Sequence, residues 1–227
     1  MWIKKAVKHT LLGAPGNRVR TINSGLLKGL QFNVDTAFKS MRLFGFDERE
    51  IESDVRRLAS RAVSALDIGA NDGWYSVFFA SLPNIKHVYA FEPGNNVIPS
   101  VQDNFAVNDP SFAKKLTYIN KFVGDHTDDQ FCSIDELLPD LTLPAIFKVD
   151  VDGGEMDVFR GAKKTLAKDG CVMVLETHSL DLENECQKFL VDLGYKTRIV
   201  NNGWYRAFIP ETRKIEHNRW MMAARDL

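Results

Sequence analysis

Hydrophobic positions along the chain follow two regimes, and the change falls near residue 63. Before it, apolar residues at 19–22 and 30–34 flank Asn23-Ser-Gly25 and predict a hairpin. Residues 47–62 carry Ile51, Val55, Leu58 and Ala62, a spacing of three and four that predicts one amphipathic helix. Beyond residue 63, short apolar runs alternate with helical periodicity. Strands are predicted at 63–68, 87–91, 116–123, 145–149, 172–176, 195–200 and 219–223, with helices at 74–81, 95–107, 155–168 and 180–193. Such alternation implies right-handed crossovers and hence an α/β fold, a mostly parallel Rossmann-like sheet of seven strands with helices on both faces. Too few residues follow Val200 for another crossover, so an antiparallel strand is expected near one edge. The expected division is a lead-in over 1–46, with a basic helix ahead of Gly13-Ala-Pro-Gly16, and a ligand-binding domain over 47–227.

In a sheet of this kind ligands bind beyond the carboxyl ends of the strands, so the residues at those ends carry the chemistry. The first predicted strand ends in Asp67-Ile-Gly-Ala-Asn-Asp-Gly73. Gly69 and Gly73 permit a sharp turn and let a ligand lie against bare backbone, with Asn71 between them. The spacing is G-x-x-x-G, not the G-x-G-x-x-G of dinucleotide enzymes. Asp67 and Asp72 flank the turn, and no Lys or Arg is close in sequence. Carboxylates would repel a pyrophosphate in a low-dielectric cleft but suit a ligand bearing an ammonium and a sulfonium. S-adenosylmethionine is such a ligand, and its carboxylate could use the helix-start amides and the Ser76 hydroxyl.

The second strand ends in Phe91-Glu92-Pro93, with Glu92 about 20 residues past the turn, where an acid reaches ribose hydroxyls. Asp125, after Val123-Gly124, is the candidate for the adenine amino group. The fourth strand delivers Asp150, Asp152 and Glu155, and the fifth delivers Glu176 and His178. Asp150, Asp152, Glu155 and His178 are the catalytic candidates, because three acids within six residues repel one another unless used and a rim histidine can accept a proton. Asp150 is also counted among the cofactor-binding residues. Asp150 and Asp152 could ligate a divalent metal only with a third acidic arm from another loop, so no metal site is assigned.

Taken in order, Gly45-Phe-Asp-Glu48, the glycine turn, Ala90-Phe-Glu-Pro93, Ser133-Ile-Asp-Glu-Leu137, Lys148-Val-Asp-Val-Asp-Gly-Gly-Glu155, Phe159-Arg-Gly161 and Leu175-Glu-Thr-His178 resemble the FkbM-type methyltransferases. The resemblance runs from about Gly45 to Leu193. It implies a class I methyltransferase fold, S-adenosylmethionine as donor, and O-methylation of a sugar, glycan or other small-molecule hydroxyl. Where the family has Val-Glu-Gly-Ala-Glu, this chain has Val151-Asp-Gly-Gly-Glu155, one methylene shorter at Asp152.

Charge and composition change this picture little. A net charge of −1 over 227 residues speaks against a nucleic-acid partner. Three cysteines without CxxC spacing fit a reducing, cytoplasmic location. No run approaches the roughly 20 apolar residues of a membrane span, and the cationic start is too short and broken for a signal peptide. Eight cations between Met1 and Arg42 face one acid, Asp35, which is read as a solvated arm or a weak peripheral membrane contact. The rival readings are a non-catalytic Rossmann-like module holding a nucleoside or metabolite and a nicotinamide oxidoreductase. Oligomeric state is not encoded in any pattern seen.

Overall fold

The structure, a computed structural model, describes residues 16–95, 97–207 and 217–227. The basic helix expected ahead of Gly13 lies outside the described residues. Strands β1 (Asn17–Thr21) and β2 (Gln31–Asp35) form the expected antiparallel hairpin, with Val19 opposite Asn33. Helix α1 (Glu52–Ala59) is shorter than its apolar pattern, because the chain from Asp47 to Ile51 forms turns around Glu48, whose φ is 45°.

The domain then runs β3 (Ser64–Ile68), α2 (Trp74–Ser81), β4 (His87–Phe91), α3 (Ile98–Ala106), α4 (Pro110–Ala113), β5 (Leu116–Ile119), β6 (Phe122–Val123), β7 (Phe131–Cys132), α5 (Ile134–Leu137) and β8 (Ala145–Val149). It closes with α6 (Glu155–Gly161), α7 (Lys163–Leu166), β9 (Cys171–Thr177), α8 (Leu180–Asp192), β10 (Lys196–Val200) and β11 (Arg219–Ala224). The central sheet has seven strands in the order β10-β11-β9-β8-β3-β4-β5. Pairs β9–β8–β3–β4–β5 are parallel, and β11 is antiparallel to both β9 and β10. The antiparallel strand is thus second from the edge.

Two predicted elements divide. The run 116–123 breaks after Ile119, where Asn120 accepts a hydrogen bond from the Gly94 amide at 2.7 Å, and β6 leaves to pair in parallel with β7. The helix expected over 155–168 breaks at Ala162. Gly161 packs so closely on the loop between β6 and β7 that a Cβ there would stand 1.8 Å from the Gly124 carbonyl oxygen, and the chain kinks to keep that contact.

Strand alternation sorts the core onto two faces. Leu66, Ile68, Phe147, Val149, Met173 and Leu175 pack against α6–α8, whereas Ala65, Ile146, Val172 and Val174 pack against α1, α2 and the hairpin. The same alternation turns Asp67, Lys148 and Glu176 toward the hairpin face, near the carboxyl ends of three adjacent strands. All three are buried.

Candidate active site

The turn after β3 is built on a backbone contact. Gly69 has φ 82°, and a Cβ there would lie 1.9 Å from the Asp150 carbonyl oxygen. The Asp150 amide meanwhile donates to Ile68 O at 2.9 Å. Glycine is therefore required where the ends of β3 and β8 touch. The Asn71 amide donates to Glu92 Oε2 at 2.8 Å, so the second-strand acid is fixed to the turn. Burial raises the Glu92 pKa against that hydrogen bond.

Two residues expected at the cofactor lie behind the turn. Ser76 is fully buried and donates to Asp67 Oδ2 at 2.5 Å, and Asp67 is 2% exposed. Burial lifts Asp67 to about 6, against the pull of Ser76 and Lys148. Spatially, the turn is not free of cations as its local sequence implies. Lys39 Nζ and Arg42 Nη1 both lie 2.7 Å from Asp72 Oδ2, and Arg42 also donates to Asp47 at 2.8 Å. Burial opposes the Arg42 charge, but the two aspartates raise its pKa. Two cations of the basic lead-in thus serve the site.

Two cavities meet at this turn. The first, about 350 Å³, is lined by Phe91, Glu92, Pro93, Val123, Phe131 and Asp152 among others. Asp125 is not part of it. Its carboxylate is exposed and pairs with His126 Nδ1 at 2.9 Å, because the Gly-Asp turn directs it away from the sheet. The second cavity, about 390 Å³, has Glu48, Asp72, Trp74, Tyr75 and Glu176 in its wall, with lead-in residues closing one side. Gly69 and Asp150 line both.

Beneath the junction sits Lys148, with Nζ 3.6 Å from Asp150, 3.8 Å from Glu176, 3.9 Å from Glu48 and 4.8 Å from the Tyr75 ring centre. It is 1% exposed. Burial disfavours its charge, but the surrounding carboxylates hold it protonated. Burial also drives Glu48 to about 7 and Glu176 to about 8, with Lys148 opposing both shifts. Tyr75 donates its hydroxyl to Glu48. Sequence reasoning assigned no role to Lys148 or Glu48. The available signal was a lone charge at an inward position of an otherwise apolar strand, Ala145-Ile-Phe-Lys-Val149.

On the far side of the same carboxylates lies His178. Its Nδ1 is 2.9 Å from Glu155 Oε1, and its Nε2 is 3.7 Å from Asp150, 3.8 Å from Glu176 and 3.6 Å from Asp152. The Glu155 contact raises the His178 pKa despite burial. Glu155 is itself fully buried, so it touches the imidazole and not the cleft. Asp152 is at the rim, its side chain 76% exposed.

This arrangement of sheet, glycine turn and strand-end acids has counterparts among known proteins. Residues 111–197 match the methyltransferase FkbM domain. The FkbM resemblance read from the motifs is thereby borne out, and the fold is that of the class I methyltransferases. A methyltransferase FkbM from Methylobacillus flagellatus KT superposes with a TM-score of 0.55 at 17% identity over 72% of this chain. The match spans 44% of that protein, less than half its length. A precorrin-6y C5,15-methyltransferase from Geobacter metallireducens GS-15 gives 0.50 at 20% identity, over 76% of this chain and 89% of that one. An rRNA methylase from Streptococcus thermophilus gives 0.52 at 14% identity, over 78% and 97%. No curated protein sequence matches the chain. The three methyltransferases share a fold while their names point to different acceptors, so the fold alone does not choose one.

Proposed function

We propose that this chain is an S-adenosylmethionine-dependent O-methyltransferase acting on a hydroxyl of a sugar, glycan or other small metabolite. The observation that carries the reading is the junction of two cavities on Gly69 and Asp150. The smaller cavity suits an adenosine: apolar walls from Phe91, Val123 and Phe131, with one half-buried carboxylate, Glu92, at the place a ribose diol would occupy. Pro93 belongs to the same wall, and the turn through Asn71 to Gly73 would face the methionine portion. The methyl donor supplies an electrophilic carbon.

The residues of the chain then have three tasks. They hold the acceptor oxygen about 3 Å from that carbon and in line with the breaking bond, they exclude water, and they take the hydroxyl proton. Asp150, in the wall common to both cavities, is the group placed to take it. Trp74, Tyr75 and the lead-in enclose the acceptor side. His178 stands behind Asp150, oriented by Glu155.

Calorimetry with S-adenosylhomocysteine, with NAD as control, tests the cofactor. Binding of the former alone is expected, and its absence overturns the reading. Transfer of labelled methyl to a panel of sugar nucleotides, glycans and lipids identifies the acceptor. Asp150→Asn is expected to lower kcat by about 100-fold or more while S-adenosylhomocysteine still binds.

A further inference from the structure

Asp150 and Glu176 each present two oxygens to two different neighbours. Asp150 Oδ2 and Glu176 Oε2 face Lys148, whereas Asp150 Oδ1 and Glu176 Oε1 face His178. On the lysine side a fixed cation already fills the space. On the histidine side one ligand atom from each of Asp150, Glu176 and His178 lies within 4.8 Å of the other two.

Three carboxylates, Glu48, Asp150 and Glu176, crowd the one ammonium of Lys148 in a largely buried setting. Two features point to a ligand between Asp150, Glu176 and His178. His178 Nε2 is a buried nitrogen with no hydrogen-bond partner. Glu176 is 4% exposed, and among the described residues no hydrogen bond reaches its carboxylate.

We propose that Asp150, Glu176 and His178 bind one divalent cation, of the Mn²⁺ or Mg²⁺ class, between Asp150 Oδ1, Glu176 Oε1 and His178 Nε2. Atoms 3.7–3.8 Å from the imidazole nitrogen leave a centre about 2.1–2.4 Å from each, the bond length such ions take. The third arm that the sequence could not supply is Glu176, brought from the neighbouring strand. Asp152, 3.6 Å from Nε2, borders the open side. Glu155 is a positioning residue: by accepting from Nδ1–H it leaves the Nε2 lone pair directed at the ion, the carboxylate–histidine–metal arrangement of ordered metal sites. On the methyl-transfer reading of this cleft, the ion would lie beside the acceptor oxygen and favour its deprotonation.

The test uses Mn²⁺ itself, titrated into the full chain without methyl donor and followed by electron paramagnetic resonance. One bound Mn²⁺ per chain is expected. Glu176→Gln and His178→Asn, both close in shape to the native side chains, should each weaken it by more than 10-fold, and Glu155→Gln by about 10-fold. Asp192→Asn, an exposed change at the far end of α8, should leave it unaltered. Circular dichroism checks that each variant is folded. If the native chain takes up no stoichiometric Mn²⁺, or the folded Glu176 and His178 variants bind it as the native chain does, the proposal is overturned. Because no donor is present, that failure leaves the methyl-transfer reading standing. Loss of S-adenosylhomocysteine binding would in turn leave the Mn²⁺ result standing.

Discussion

The two walls of the cleft are held in different ways. One consists of strand ends, β3, β8 and β9, whose backbones are locked by the sheet and by the Gly69–Asp150 contact. The other is the stretch 36–50, from the end of the lead-in to the turns before α1, tied on in part by charge: Arg42 and Lys39 to Asp72, Glu48 to Tyr75, and Arg206 to Glu50 at 2.7 Å. The difference shows where electrostatics has structural weight. In the first wall, buried charges are tolerated because the sheet holds them. In the second, the charges are part of the fastening, beside the buried Leu43 and the bond from the Asn23 amide to Leu43 O at 3.4 Å.

The largest expected effect is at the lysine between the walls. Lys148→Met leaves three carboxylates clustered without their cation, and a loss of about 3–5 kcal/mol at neutral pH is expected from denaturant unfolding. A loss below 1 kcal/mol would show that the carboxylates do not depend on it. Next comes Arg42→Ala, which leaves Asp72 with Lys39 alone, takes the partner from Asp47, and should cost about 3 kcal/mol. Cleavage by a protease within 36–50 should rise with it if this wall is fastened by charge.

Asp67 sharpens the contrast through pH. Its carboxyl is raised from the ordinary 3.8 to about 6, so the folded chain holds a proton that the unfolded chain releases. Stability from this group is present below about pH 4 and is lost as pH rises toward 6, by on the order of 2–3 kcal/mol. Asp67→Asn should flatten that limb of the stability profile, and an unchanged slope would refute the assignment. The smallest effect is Lys39→Ala. It removes a partner of the same Asp72 oxygen, but from a side chain 37% exposed, and should cost under about 1 kcal/mol.

Much of the sheet was legible because its strands alternate between two apolar faces. The ends of β3, β4 and β8 and of helix α2 fall at or within a residue of the pattern. The elements that divided did so for tertiary reasons: Gly161 must meet the Gly124 carbonyl, and Asn120 bonds across to Gly94. The site was legible as a set of strand-end acids and only partly as a network. Lys148 and Glu48 are a hundred residues apart in sequence, and nothing local shows that they meet. Arg42 and Asp72 are separated by thirty, which is why the turn reads as free of cations. Asp125 is the converse case: nothing in Val123-Gly124-Asp125 shows that the loop turns its carboxylate outward.

The clearance at Gly69 has a practical corollary for redesign. Because any Cβ at residue 69 would meet the Asp150 carbonyl oxygen, the turn cannot be reshaped without displacing the end of β8, and a library directed at residue 69 would mostly sample broken proteins. Phe38, Met41 and Phe46 line the larger cavity from a segment that lies outside the central sheet. A search for altered acceptor preference belongs there, where shape can drift while the sheet stays as it is.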